Sequence, residues 1–281
     1  MLGIIGGTGL YKIDGLVTEE NRIVRTPFGE SSASVLLGKI GNTPVAFLPR
    51  HGTSHGILPG EINYRANIFA LKKVGVTQIL SVSATGSLRE EIAPGELAVP
   101  HQYFDWTRGK RVATFFGEGV VAHIATAEPS CANLTDTIRQ AAQANSTAIH
   151  FAKTYACIEG PRLGTRAESL FLRQIGCDLV GMTNVPEVFL AREAQMCYAT
   201  IAIATDYDSW LDDPTQHVNV AKVFELYGKN IGRVQALIKS IAMAETSKAK
   251  CSCRQSLEGA VVTPEESLSS EKRELLKVLK A

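Results

Sequence analysis

The segment "ATDYDSW" places two carboxyls, Asp206 and Asp208, just beyond an apolar run over residues 200–204. Alternate residues of a regular strand face the same side, so both would point into one pocket. Two carboxyls so placed shift each other's pKa. One that keeps its proton serves as a general acid, while the other accepts hydrogen bonds. The simpler alternatives are a solvated turn or a metal pair, and no nearby acidic cluster completes a metal site.

Three further segments suit an anion. In "LPRHG", Arg50 offers a planar set of donors fitted to phosphate or carboxylate, and His51 beside it adds a donor whose charge is adjustable near neutral pH. His51 and His55 are four apart, a metal-ligand spacing on a helix, but Gly52, Thr53, Ser54 and Gly56 argue against a helix there, so no metal is assigned. "SATGS" supplies the Ser83 and Thr85 hydroxyls and loop N–H groups. "GIIGGTGL" has Lys12 where a dinucleotide loop needs its third glycine, and no Gly-Lys-Ser/Thr follows. What remains is a tight turn or an anion nest of backbone N–H groups with the Thr8 hydroxyl beside them. Thr8, Arg50, His51 and Ser83 thus form a candidate anion site near a carboxylate pair. No Ser-His-Asp or Cys-His arrangement stands out. This combination points to a transferase or hydrolase acting on a small anion and a polar organic ring.

These residues must be delivered by strand ends, because ligands of open α/β sheets collect there. Residues 1–5 read as a buried strand. Ser34–Ile40 and Thr43–Leu48 read as a hairpin around Gly41-Asn42. Further strands are predicted at 78–83, 96–100, 154–158, 178–182 and 200–204. Helices are predicted at 62–74, 133–144, 165–175, 186–196 (Pro186 in the first turn) and 220–243. The alternation predicts an α/β fold with a mixed sheet covered on both faces. Near Glu245 the composition turns polar, and "TPEE" predicts a last helix capped by Thr263, started by Pro264 and boxed by Glu266. Leu268, Leu275, Leu276 and Leu279 give that helix an apolar stripe, to be buried on this subunit or on a neighbour.

The chain has 281 residues, 45% of them hydrophobic and 20% charged, with a formal net charge of +1. That suffices for a large core and provides no broad field for nucleic acid or membrane. Six cysteines are too few for a disulfide scaffold. Cys131, Cys157, Cys177 and Cys197 read as buried small hydrophobes. No basic leader and no run near ~18 apolar residues is present, so a soluble, cytoplasmic protein is expected.

The blocks "GIIGGTGLY", "TPFG", "PRHG", "GSLREEI", "IEGPR" and "GMTNVPEV", together with "LAREAQMCYATIAIATDYD", are similar to those of the 5′-methylthioadenosine phosphorylases, the trimer-type branch of the purine nucleoside phosphorylases. The resemblance runs over roughly residues 2–243. It implies one α/β domain over 1–245, with a mixed, partly barrel-like sheet, and an extension over 246–281 carrying a CxC and a terminal helix. It also implies phosphorolysis of 5′-methylthioadenosine to adenine and 5-methylthioribose 1-phosphate. Phosphate would be a co-substrate, and no cofactor would be needed.

By the same resemblance, phosphate is held by Thr8, Arg50, His51, Ser83, the Ala84 backbone and Thr183. Met182 lies against the ribose. Asp206 protonates N7 of the purine, and Asp208 accepts from its 6-amino group. Val220 and Val223 line a methylthio pocket, and His217 stands three residues before the position of the 5′-hydroxyl-binding histidine of 6-oxopurine enzymes. His123 reaches across a subunit interface of a trimer or a dimer of trimers. Leu163 stands where relatives often place a stacking phenylalanine, and Asn184 replaces a common threonine. The CxC of Cys251 and Cys253 resembles that of some archaeal members, where such cysteines form disulfides. Reduced thiols or an opportunistic metal site are the alternatives. A broader purine nucleoside phosphorylase, a nucleosidase and a non-catalytic nucleoside-binding protein are the rival functions.

Overall fold

The computed structural model describes residues 1–7, 10, 13–109, 111–213, 220–244 and 251–281, without the side chains of 220–224. Among the described residues nine strands form one sheet: β1 (Leu2–Gly6), β2 (Leu16–Arg22), β3 (Val35–Ile40), β4 (Thr43–Pro49), β5 (Gln78–Ser87), β6 (Leu97–Trp106), β7 (Ile149–Ile158), β8 (Leu179–Gly181) and β9 (Cys197–Asp206). Their order is β2-β3-β4-β1-β5-β8-β7-β6-β9, and a further β5–β9 pairing closes the last five strands into a barrel. The sheet is mixed: β1 runs parallel to both β4 and β5, while β3–β4 is antiparallel. The hairpin turns at Gly41-Asn42, with Ile40 opposite Thr43, as the turn residues predict.

β2 has no counterpart in the sequence reading. Its "LVTEENR" is almost wholly exposed and, among the described residues, pairs only with β3, so an edge strand here lacks the apolar pattern that marks buried ones. β6, β7 and β9 each run ten residues, longer than predicted. β6 and β7 pair along their whole lengths, and β9 pairs with β5 from Cys197 onward, so backbone pairing sets these lengths.

The helices are α1 (Tyr64–Lys73), α2 (Ala132–Ala144), α3 (Arg166–Gln174), α4 (Asn184–Glu193), α5 (Val220–Met243) and α6 (Ser270–Lys280). One core joins the sheet to α1, α4 and α6 through Ile68, Leu71, Val188, Leu190, Leu275 and Leu279. A second, on other strand positions, takes Leu134 and Ile138 of α2 and Val234, Leu237 and Ile241 of α5. Both sheet faces are therefore covered. α3 opens with a complete capping box, Thr165 with Glu168. Val185 breaks helical geometry at the start of α4, so its regular turns begin at Pro186.

The last helix departs from its predicted start. Thr263 does not cap it: its hydroxyl accepts the Val121 N–H at 2.8 Å, because Ala122 and Val261 pair as an isolated bridge there. The chain makes a 3-10 turn at Glu265–Ser267, and Ser269 caps α6 by accepting the Lys272 N–H. The apolar stripe is buried on this same chain. Leu275 and Leu279 enter the main core, and Leu268 and Leu276 pack with Val120. Among the described residues, no helix is long and apolar enough to cross a membrane.

Candidate active site

The ends of β1, β4, β5, β7, β8 and β9 surround a cleft of about 310 Å³, within the usual size of small-ligand sites. Arg50, His51, Ser83, Ala84, Leu163, Met182, Thr183, Asp206 and Asp208 all line it. Residues separated by up to 158 positions thus meet where the strand-end rule places ligands. Thr8 lies outside the described residues, as does His217, and so do the side chains of Val220 and Val223.

At one end sits Arg50, fully buried. Its Nε and Nη2 donate to the two carboxylate oxygens of Glu187 at 2.7 and 2.9 Å. Nη2 also donates to Ser81 Oγ at 2.6 Å, and Nη1 to the Val82 carbonyl at 3.1 Å. Burial opposes the charge of Arg50, but the Glu187 carboxylate more than offsets it, and its pKa rises above the ordinary value. A guanidinium has five N–H groups, and these bonds leave one Nη1–H for the cleft. Glu187 also accepts from Tyr198 Oη at 2.8 Å and Ser81 Oγ at 3.0 Å. Sequence reasoning singled out Arg50 but missed Glu187. The signal was its acid in the first turn of α4, which has no meaning until the fold supplies the cation.

His51 departs from the expected adjustable charge. Burial, helped by neighbouring Arg50 and His55, pushes its imidazole down to about 4. Its Nδ1 lies 2.8 Å from the Ile57 carbonyl, an acceptor only, so the proton of the neutral ring sits on Nδ1. Nε2 is then an acceptor. The His55 ring stacks on it with centroids 4.5 Å apart.

Ser83 Oγ is buried with no hydrogen-bond partner among the described residues. Buried hydroxyls are ordinarily paired, so this orphan, on a residue that lines the cleft, has a hydrogen bond to offer. Thr85, its neighbour in "SATGS", is already committed: its hydroxyl donates to the Ile203 carbonyl at 3.3 Å. Thr183 stands at the N-cap of α4 without using its hydroxyl as a cap.

The carboxylates occupy the other end. Asp206 ends β9, at a register shift between Thr85 and Gly86 of β5. Such bulges re-aim side chains beside sites. A Cβ on Gly86 would lie 3.0 Å from Asp208 Cβ and 3.1 Å from Asp206 Oδ1, so a side chain here would crowd both. Asp208 is not in regular strand geometry, as alternation predicted. Its φ is +52°, a left-handed turn that aspartate tolerates better than most residues. The two still share the cleft because the turn folds Asp208 back: its N–H donates to Asp206 Oδ1 at 2.7 Å. Thr205 Oγ donates to Asp206 Oδ2 at 2.7 Å. Burial raises the Asp206 carboxyl to about 6, against these hydrogen bonds and with a smaller push from Asp208. Ser169 of α3 donates its hydroxyl to Asp208 Oδ2, and Trp210 Nε1 holds the loop to the Ser87 carbonyl at 2.9 Å.

Two further loops form part of the wall. Gly160 of "EGPR" has φ +70°, and a Cβ there would fall 2.6 Å from Met182 Sδ. Arg111, which sequence reasoning also missed, lashes them together through the carbonyls of Met182, Val185 and Glu159 at 2.7, 2.7 and 2.9 Å. Asn184 is not part of the lining. Its amide donates to Thr200 Oγ at 2.7 Å and joins α4 to β9. His123 is exposed outside this cleft, its N–H held by the Ala260 carbonyl at 2.9 Å.

The family model described as "Phosphorylase superfamily" matches residues 1–242. The S-methyl-5′-thioadenosine phosphorylase of Geobacter sulfurreducens is 43% identical over 99% of this chain and 97% of its own length. That of Hyperthermus butylicus is 47% identical over 93% and 95%. A methylthioadenosine phosphorylase crystal structure, sourced from an antarctic soil metagenomic library, superposes with a TM-score of 0.92 at 42% identity, covering 99% and 98%. A variant of the Schistosoma mansoni adenosine/methylthioadenosine phosphorylase, in complex with methylthioadenosine, gives 0.83 at 35% identity, covering 99% and 96%. A closed mixed sheet, a cleft lined by Arg50 and by the Asp206–Asp208 pair, and near full-length similarity agree: the chain belongs to the phosphorylase superfamily, in its S-methyl-5′-thioadenosine phosphorylase family.

Proposed function

We propose that the cleft catalyses phosphorolysis of 5′-methylthioadenosine, yielding adenine and 5-methylthioribose 1-phosphate. The observation that carries this reading is the orphan Ser83 hydroxyl and the spare Arg50 N–H on residues that line one cleft with Asp206 and Asp208. Phosphate binds to Arg50, Ser83, the Ala84 backbone and Thr183, together with Thr8. Neutral His51 accepts from a phosphate that still carries a proton, as hydrogen phosphate does. The nucleoside lies between the two ends, with Met182 against its ribose, Leu163 near the base and Val220 and Val223 around the methylthio group.

In the reaction the C1′–N9 bond lengthens, positive charge grows on the sugar, and a phosphate oxygen closes on C1′. Holding phosphate in place is mainly a positioning effect. Asp206 gives its proton to N7 as N9 leaves, so adenine departs neutral. Its raised pKa suits a general acid near neutral pH. Asp208 accepts from the 6-amino group, which favours adenine over bases that present a 6-oxo acceptor. An apolar methylthio pocket gains ~0.8 kcal/mol per buried CH₂-sized group and penalises an unpaired hydroxyl.

The exposed position of His123 suits a contribution to a neighbouring subunit's cleft, so the working form is a homo-oligomer, a trimer or a pair of trimers, in the cytoplasm. The test is incubation with 5′-methylthioadenosine, 5′-methylthioinosine, adenosine and inosine, each with and without phosphate. Release of adenine from 5′-methylthioadenosine only with phosphate is expected. Undiminished release without phosphate would replace this reading with a nucleosidase.

A further inference from the structure

Four cysteines that sequence separates come together away from the cleft. Cys131 is the N-cap residue of α2, Cys197 starts β9, and Cys251 and Cys253 flank the start of a 3-10 turn (Ser252–Gln255) in the C-terminal segment. The Cys131 N–H donates to the Tyr198 carbonyl at 2.8 Å, which fixes the first two side by side. Cys251 Sγ lies 3.6 Å from Cys131 Sγ and 3.6 Å from Cys197 Sγ. All four sulfurs lie within 4.8 Å of one another. Cys131, Cys197 and Cys253 are at most 4% exposed.

This spacing is that of a tetrahedral tetrathiolate. Zinc–sulfur bonds of ~2.3 Å at tetrahedral angles put sulfurs about 3.8 Å apart. A disulfide would need about 2.05 Å, with one partner for each sulfur; here Cys251 is equally close to two. The surroundings also suit thiolates. The positive end of α2 meets Cys131, and Arg192 of α4 brings Nη1 to 2.7 Å from Cys253 Sγ. Four sulfurs leave no open coordination position, which is the mark of a structural rather than a catalytic zinc site.

We propose that Cys131, Cys197, Cys251 and Cys253 bind one zinc ion. Four thiols and Zn²⁺ give a tetrathiolate zinc centre of charge −2 and four protons released to solvent, with no change of oxidation state. Arg192 offsets part of that charge. The ion ties the C-terminal segment to the starts of α2 and β9. That segment then runs to Ala260–Thr263, which pairs with Val121–His123, so the metal also steadies the loop bearing His123.

The test uses the full chain, expressed in a reducing cytoplasm with zinc in the medium and purified without chelator. Elemental analysis should find about one zinc per chain. After unfolding in chelator without reductant, all six cysteines should alkylate. Exchange of zinc for cobalt should give the intense visible bands of a tetrahedral site and near-ultraviolet thiolate charge transfer. Cys253→Ser should lose the metal and melt lower, whereas Cys177→Ser, outside the cluster, should keep it. The cobalt spectrum needs no variant, so a misfolded Cys253→Ser leaves the proposal testable. Metal-free protein, iron in place of zinc, or cysteines recovered as disulfides would each overturn it.

Discussion

Arg50 and Glu187 face each other across 137 residues of sequence as a two-point ion pair, at 2.7 and 2.9 Å, with both side chains sealed from solvent. The pair sets the direction of the guanidinium, so that Nη1 is what remains for the cleft.

Removing one partner of a buried pair strands the other charge. Glu187→Ala should therefore cost about 3–5 kcal/mol of stability, read by denaturant unfolding. Glu187→Gln keeps the shape and should raise KM for phosphate more than KM for the nucleoside. An unchanged phosphate KM in a folded Glu187→Gln protein would refute the positioning role.

Asp206→Ala should lower kcat by about 10²–10⁴-fold, the usual worth of general acid catalysis, while circular dichroism stays native. A variant with full turnover would remove Asp206 from the mechanism.

The same residue makes stability depend on pH. Burial raises the Asp206 carboxyl from 3.8 to about 6, so between those values the folded state holds its proton more tightly than the unfolded chain. Its stabilising contribution is complete below the unfolded value and is lost as pH rises through the folded one. Asp206→Asn should therefore raise Tm relative to wild type above pH 6 and show little such gain near pH 4. Thr205 can turn its hydroxyl to the Thr85 carbonyl, 3.2 Å away, in that variant. An equal Tm difference at both pH values would contradict the assignment.

Asp208→Asn replaces an acceptor with a group that also donates. The ratio of kcat/KM for 5′-methylthioinosine to that for 5′-methylthioadenosine should rise, as a substrate panel would read. Ser169→Ala, which removes the hydroxyl donating to Asp208, should weaken adenine selectivity in the same direction and by less.

Leu163 lines the cleft and is 37% exposed. Leu163→Phe should add an aromatic face for the purine, worth about 0.5–1.5 kcal/mol. KM for the nucleoside should fall up to about tenfold, with KM for phosphate unchanged; no change would place the base elsewhere.

Sequence alone determined what depends on neighbours along the chain. The Gly41-Asn42 hairpin and the polar strand ends both follow from residue types at short spacing. The residue types themselves picked out Asp206, Arg50 and Ser83, and the family blocks then gave them their expected roles. Where local rules were pushed too far they failed. Thr263 is a good capping residue, yet it was taken by Val121. Strand alternation put Asp206 and Asp208 on one side for the wrong reason, since a left-handed turn brings Asp208 back. Only the tertiary structure decided that Glu187 is the partner of Arg50, that His51 is neutral, that Ser83 and not Thr85 has a hydroxyl to offer, and that Cys131, Cys197, Cys251 and Cys253 share one place. These facts depend on burial and on contacts between distant strands and helices. Sheet closure and packing set such contacts, and neither leaves a period in the sequence.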